Sequence, residues 1–158
     1  MIMPMQEPPV HVRPMTHEDL SQVSDIERRS YEFPWSHGVF RDCLLAGYRC
    51  IVMDRDDRVA GYAILSVAAG EAHILNLCVD PVHRAHGYGE QLLDEILGHA
   101  RGSDVAEIFL EVRPTNINAI ALYKKKGFHQ IARRQEYYQA DRGREDAAVF
   151  SKKLTGAY

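Results

Sequence analysis

The chain has 158 residues, 46% apolar and 26% charged, an ordinary globular composition long enough for one domain with its own core. A net charge of −3 gives no global pull towards nucleic acid or an anionic membrane. The three cysteines (Cys43, Cys50, Cys78) lie in or near apolar runs without C-x-x-C spacing, and the eight histidines show no H-E-x-x-H pattern, so reduced core thiols and no metal are expected.

Residues 1–9 contain three prolines and lack the basic start and unbroken apolar core of a signal peptide, so they read as a flexible leader. No apolar run approaches the ~20 residues of a membrane span. A cytoplasmic protein is expected, with one domain over 10–154 and a short tail over 155–158. Val10 to Arg13 predicts a first strand, closed by Pro14. Thr16 is an N-cap with Asp19 three residues on, and Leu20, Val23 and Ile26 continue at helical spacing to about Arg29. The segment Tyr31-Glu32-Phe33-Pro34-Trp35 holds the only tryptophan. Ser36 then caps a short helix lined by Val39, Phe40, Leu44 and Leu45, ending near Gly47. Tyr48–Met53 and Arg58–Val67 read as strands joined by the polar turn Asp54-Arg55-Asp56-Asp57. A second turn follows at Ala69-Gly70-Glu71.

The next stretch organises the chain. Ile74, Leu75, Leu77, Cys78 and Val79 form an apolar strand stopped by Asp80-Pro81. Arg84-x-x-Gly87-x-Gly89 then opens into a helix with Leu92, Leu93, Ile96 and Leu97 on one face. A glycine loop entering a helix presents unpaired N–H groups at the positive end of the helix dipole, which suits phosphate. Alone, two glycines also fit an ordinary turn. Neither G-x-x-x-x-G-K-S/T nor a full dinucleotide fingerprint is present.

Ala106–Val112 predicts another strand. Thr115 or Asn116 caps a helix with Ile120, Leu122 and Tyr123, which Gly127 ends as a left-handed C-cap. Phe128–Ala132 and Ala147–Leu154 are the last strands, separated by a polar turn over 141–146. The order β-α-α-β-β-β-α-β-α-β-β predicts a mixed α/β single domain. Its sheet is largely antiparallel, carries helices on both faces and has a β-α-β crossover at its centre. The loop from Val82 to Glu90 falls at the carboxyl end of a strand, where ligands of such sheets bind.

These motifs, in this order, resemble the GNAT superfamily of acetyl-CoA-dependent N-acetyltransferases. The resemblance rests on V-D-P followed by R-x-x-G-x-G, on Leu110-Glu111-Val112-Arg113, on Asn116 with Ala119-Ile120-x-Leu122-Tyr123, and on Lys126-Gly127-Phe128. It continues through Arg134-x-x-Tyr137-Tyr138 and Arg144-Glu145-Asp146-Ala147. Phe33-Pro34-Trp35-Ser36 is similar to the RimI-type branch, the ribosomal-protein N-terminal alanine acetyltransferases. The resemblance spans Val10 to Leu154. Ala85 departs from it where a basic residue is frequent, and His86 where Gln, Arg or Gly is common.

The resemblance implies acetyl-CoA as co-substrate. Backbone groups of Leu77, Cys78 and Val79 would hold its pantetheine arm, with Val79 N–H on the thioester carbonyl. Arg84, Ala85, His86, Gly87, Tyr88, Gly89 and Glu90 would cradle the pyrophosphate, and Asn116 would add a hydrogen bond besides capping its helix. The implied acceptor is the N-terminal alanine of ribosomal small-subunit protein 18, with an association with the tRNA-modification machinery.

Glu111 interrupts an apolar strand, which calls for a raised pKa or a partner. The alternatives are a general base, acting directly or through water, and an ion pair with Arg113, two residues on along the same strand face. Tyr123 is the candidate acid for the leaving thiolate, against a half-buried tyrosine of an amphipathic helix. Glu32, Phe33, Trp35, Tyr137 and Tyr138 suit a groove for an extended peptide, the aromatics being equally readable as core and Glu32 as a solvated charge. Other amine acceptors (a lysine side chain, a small molecule) and a non-catalytic CoA-binding module are the competing functions.

Overall fold

The computed structural model describes residues 8–140 and 143–154. Most of the expected leader (1–7), the whole expected tail (155–158) and two residues of the expected polar turn (141–142) lie outside the described residues. The elements are β1 (Val10–Pro14), α1 (Leu20–Ser30), α2 (His37–Leu45), β2 (Arg49–Arg55), β3 (Arg58–Ala68), β4 (Glu71–Val79), α3 (Tyr88–Gly102), β5 (Glu107–Val112), α4 (Ile117–Lys125), β6 (His129–Ala140) and β7 (Gly143–Lys153). Short 3-10 turns stand at His17–Asp19 and Pro81–His83. All strands join one sheet in the order β1-β2-β3-β4-β5-β7-β6, and among the described residues only β4 and β5 pair in parallel.

The period-2 alternation of β2 and β3 builds a core on each face. Ile51, Met53, Ala63 and Leu65 pack with Leu92, Leu93 and Ile96 of α3. Cys50, Val52, Tyr62 and Ile64 pack with Leu20, Val23 and Ile26 of α1 and Phe40 of α2. All three cysteines are free thiols and buried. Where α3 lies on β3, a Cβ at Gly61 would stand 2.9 Å from both the Cys78 carbonyl oxygen and Leu92 Cδ1, so only hydrogen fits. The caps act locally as expected. Asp19 accepts from Thr16 N–H at 2.8 Å, Ser36 Oγ from Val39 N–H at 3.4 Å, and Asn116 Oδ1 from Ala119 N–H at 3.3 Å.

One irregularity positions the site. The parallel pairing of β4 with β5 runs from Glu71↔Glu107 to Ile74↔Leu110 and stops, although both strands continue. On its other edge, β4 pairs Ile74 with Leu65 and Asn76 with Ile64, which leaves Leu75 as a bulged extra residue. A bulge bends its strand. From Leu75 onward β4 therefore parts from β5, and a cleft opens between them.

The last hairpin corrects the sequence reading. β6 extends to Ala140 and β7 starts at Gly143, so Gly143–Asp146 are strand, not turn. Residues 131–137 are all exposed, so the apolar alternation that marks a half-buried strand is missing there. Between Arg134↔Ala147 and Tyr138↔Glu145, β6 takes four steps against two on β7. Asp146 holds this excursion, accepting from Arg133 Nε at 2.7 Å and from the N–H of Glu136 (φ 52°) at 3.0 Å.

Candidate active site

The cleft between β4 and β5 enlarges into a cavity of about 1100 Å³. Its walls are β4 from Ile74 to Val79, the end of β5 with Arg113, the start of α4, and Glu27 with the connection from α1 to α2. Tyr138 and Glu145 of the last hairpin complete it. Successive N–H groups of a strand point to opposite edges. Asp80 N–H is donated to the Ala60 carbonyl beside β3 at 2.7 Å. By alternation, the N–H groups of Val79 and Leu77 point the other way, into the cleft. Their side chains pack on the α3 core, whereas the Cys78 side chain belongs to the core under α1. Burial raises the Cys78 thiol above its ordinary pKa, which keeps it protonated.

Beyond the cavity end the chain turns into α3. Ala85 (φ 68°) and Gly87 (φ 78°) are both left-handed, and no side chain caps α3, whose N-cap is Gly87. The first-turn N–H groups are thus left for a ligand. Arg84 lines the cavity, is exposed, and makes no ion pair among the described residues. The Tyr88 ring lies in the core with its hydroxyl buried and unpartnered, so only its backbone is available to a ligand. His86 stacks on that ring at 5.3 Å between centroids. Glu90 is tied to Lys125 and Lys126 at 3.0 and 2.9 Å, which joins the start of α3 to the end of α4.

Glu111 and Tyr123 both line the cavity. The alternative reading of Glu111, an ion pair with Arg113, is not what the described residues form. Arg113 lies one residue past the end of β5, where strand alternation no longer holds, and it pairs with Glu145 at 2.9 Å. The cation near Glu111 is instead Arg134, at 3.4 Å. Glu145 also accepts from Thr115 Oγ1 at 3.0 Å, so this member of the expected polar turn is a structural anchor. Tyr123 is 7% exposed and meets Phe128 edge-on at 5.7 Å. Burial, then the neighbouring Cys78, pushes its phenol up to about 12, which leaves it protonated at neutral pH.

The opposite mouth is aromatic. Arg113 sits 4.5 Å from the Tyr138 ring centroid and 6.0 Å from that of Phe33, linking the last hairpin to the segment after α1. Phe33 and Tyr137 are exposed, whereas Trp35 is half-buried and packs on Phe40 at 5.3 Å. Glu32 lines the cavity and is exposed. Tyr137 lies outside the cavity wall, meets Tyr138 edge-on at 4.9 Å and has the Arg134 guanidinium over its ring at 5.4 Å. Ala85 to Glu90 also lie beyond the wall, as the turn into α3 and its first residues.

Sequence reasoning missed Glu27, Asn76 and Arg113 as lining residues. Glu27 had a signal: it falls four residues after Val23 and seven after Leu20, on the buried face of α1. Among the described residues, no group of three or more His, Cys, Asp or Glu could hold a metal. No helix there is long and apolar enough to cross a membrane.

The model of the acetyltransferase (GNAT) family matches residues 20–128. A curated relative from Salmonella typhimurium strain LT2, [ribosomal protein bS18]-alanine N-acetyltransferase, is 36% identical over 84% of this chain and 90% of its own. The crystal structure of the Escherichia coli ribosomal-protein-S18-alanine N-acetyltransferase matches with a TM-score of 0.88 at 32% identity, covering 95% of this chain and 97% of that one. Arabidopsis thaliana NAA60 in complex with acetyl-CoA shares the fold, with a TM-score of 0.85 at 20% identity, over 94% of this chain and 100% of that one. With its splayed β4/β5 cleft and uncapped glycine turn into α3, the chain belongs to the acetyltransferase (GNAT) family, whose acetyl donor is acetyl-CoA.

Proposed function

We propose that this protein transfers the acetyl group of acetyl-CoA to a protein N-terminus, and that the acceptor is the N-terminal alanine of ribosomal protein bS18. The observation that carries the reading is the convergence of a strand edge, a carboxylate, a phenol and an aromatic mouth on one cavity. The acceptor rests on relatives named for that substrate, which this chain matches over most of their length.

Acetyl-CoA fits the residues present. The cleft-facing N–H of Leu77 pairs with the pantetheine arm as an added strand does, which leaves that of Val79 for the thioester carbonyl. Arg84 and the turn from Ala85 to Glu90 take the pyrophosphate, and Asn116 adds a hydrogen bond from the α4 side. The bound thioester supplies an activated acetyl group. Glu111, directly or through water, takes the proton that the acceptor ammonium must lose before its nitrogen can attack. Val79 N–H donates to the carbonyl oxygen as negative charge develops there. As the carbon–nitrogen bond forms and the carbon–sulfur bond breaks, Tyr123 gives its proton to the departing thiolate; the second proton, shed by the now cationic nitrogen, restores the phenol through solvent, and Glu111 returns the first to water. Glu32, Phe33, Trp35, Tyr137 and Tyr138 line the path of the acceptor peptide.

The test is acetyl transfer to a short alanine-initiated peptide, read by mass spectrometry. The controls are the same peptide with a blocked N-terminus and one whose only amine is an internal lysine. Mass gain on the free N-terminus alone is expected. Gain on the lysine alone moves the enzyme to another acceptor, and acetyl-CoA binding without transfer to any peptide contradicts the reading.

A further inference from the structure

Glu27 is a charged side chain in the wrong place for a stabilising one. It is 2% exposed and forms no ion pair among the described residues. Its carboxylate is satisfied by neutral donors alone. Oε1 accepts from Tyr62 Oη at 2.6 Å and Asn76 Nδ2 at 2.9 Å, and Oε2 accepts from Trp35 N–H at 2.9 Å. A buried carboxylate without a cation contributes little to stability, but three donors fix its geometry tightly.

Two of those donors, Trp35 and Asn76, come from opposite sides of the cavity, and the third, Tyr62, from the core behind it. Trp35 ends the segment that carries Phe33 at the acceptor mouth. Asn76 precedes Leu77, whose N–H faces the cleft. Rings close the circuit: Trp35 meets Phe40 at 5.3 Å, Phe40 meets Tyr62 edge-on at 5.5 Å, and the Tyr62 hydroxyl returns to Glu27.

We propose that Glu27 is a positioning residue that locks the acceptor-side segment Tyr31–Trp35 to the donor-side strand β4 and so governs how tightly the acceptor binds. The role rests on the acceptor path assigned above. It concerns a group that touches neither reacting atom.

The test is Glu27→Gln in the full chain. Glutamine keeps the shape but offers one acceptor oxygen instead of two, so either Trp35 or the Tyr62–Asn76 pair meets an amide donor. Trp35 is the only tryptophan, and its emission reports the segment without any substrate. The emission maximum is expected to move, with the acceptor-peptide KM raised about tenfold and the acetyl-CoA KM unchanged within about twofold. Unchanged emission, or an equal rise in both KM values, overturns the proposal. If Glu27→Gln fails to fold, Tyr62→Phe removes one donor at constant shape. It is expected to shift the emission and raise the acceptor KM about threefold, and no change in either overturns the role. If the wild-type protein acetylates no peptide, the acceptor assignment fails while the emission of Glu27→Gln still decides the coupling.

Discussion

Arg134 Nη2 stands 3.4 Å from Glu111 Oε1, and the arginine side chain is 57% exposed where the glutamate is 17% exposed. The arginine end of this ion pair is open to water, which screens the pair and holds its worth to about 1 kcal/mol. An incoming ammonium can therefore displace the guanidinium at little cost. Glu111→Gln is expected to lower kcat by about 100-fold or more, with acetyl-CoA affinity held within about twofold by calorimetry. Arg134→Gln, which removes only the displaceable cation, is expected to keep kcat within about threefold. Unchanged turnover in Glu111→Gln removes the proposed base.

Tyr123→Phe isolates the proposed acid. The ring contact with Phe128 survives the change, so the stability loss is expected to stay below about 1 kcal/mol while kcat falls about 100-fold. With its phenol pushed up to about 12 by burial, the wild-type donor stays protonated up to roughly pH 10. The kcat–pH profile should therefore show no alkaline decline below that value. A decline centred nearer pH 8 assigns the proton to another group.

The two left-handed residues before α3 carry opposite expectations. At Gly87 (φ 78°) a Cβ meets nothing within 4 Å, so the cost of Gly87→Ala is conformational, about 1–2 kcal/mol, with a raised acetyl-CoA KM. Ala85 already bears such strain at φ 68°. Ala85→Gly relieves it and is expected to leave denaturant stability equal or higher by up to about 1 kcal/mol. Destabilisation by both changes contradicts this geometry.

Acid should unfold the protein in part through two buried aspartates. Arg13 hydrogen bonds hold Asp19 below the ordinary carboxylate range, and Arg29 hydrogen bonds do the same for Asp80. Depressed folded values mean that the stabilisation is fully present above the unfolded value of ~3.9 and is lost as pH falls through the folded values. Urea midpoints measured from about pH 7 down to about pH 2 should fall in that window. The fall should be shallower in Asp80→Asn, which starts lower at neutral pH. A parallel acid limb in the variant contradicts the linkage.

The element order was legible because it is written in local chemistry: Ser36 and Asn116 as caps, Gly127 (φ 92°) as a helix stop, and alternation in β2 and β3. What depends on register was not. The bulge at Leu75, which opens the cleft, follows from how β4 meets β3, and no residue type marks it. Two-residue spacing puts Arg113 on the face of Glu111 only within a strand, and Arg113 lies past the strand end and turns to Glu145. The outer half of the β6–β7 hairpin is too exposed to carry an apolar period. Glu27 stood on the buried face of its helix, yet the donors that make it a hub come from Trp35, Tyr62 and Asn76, each remote in sequence from at least one other.

The most direct measurement is incubation of unacetylated full-length bS18 with this protein and acetyl-CoA, followed by tandem mass spectrometry that locates every acetyl group. The expected result is one acetyl group on the N-terminal alanine, absent when Glu111→Gln replaces the wild type. Acetylation confined to lysine side chains, or none despite measurable acetyl-CoA binding, contradicts the account.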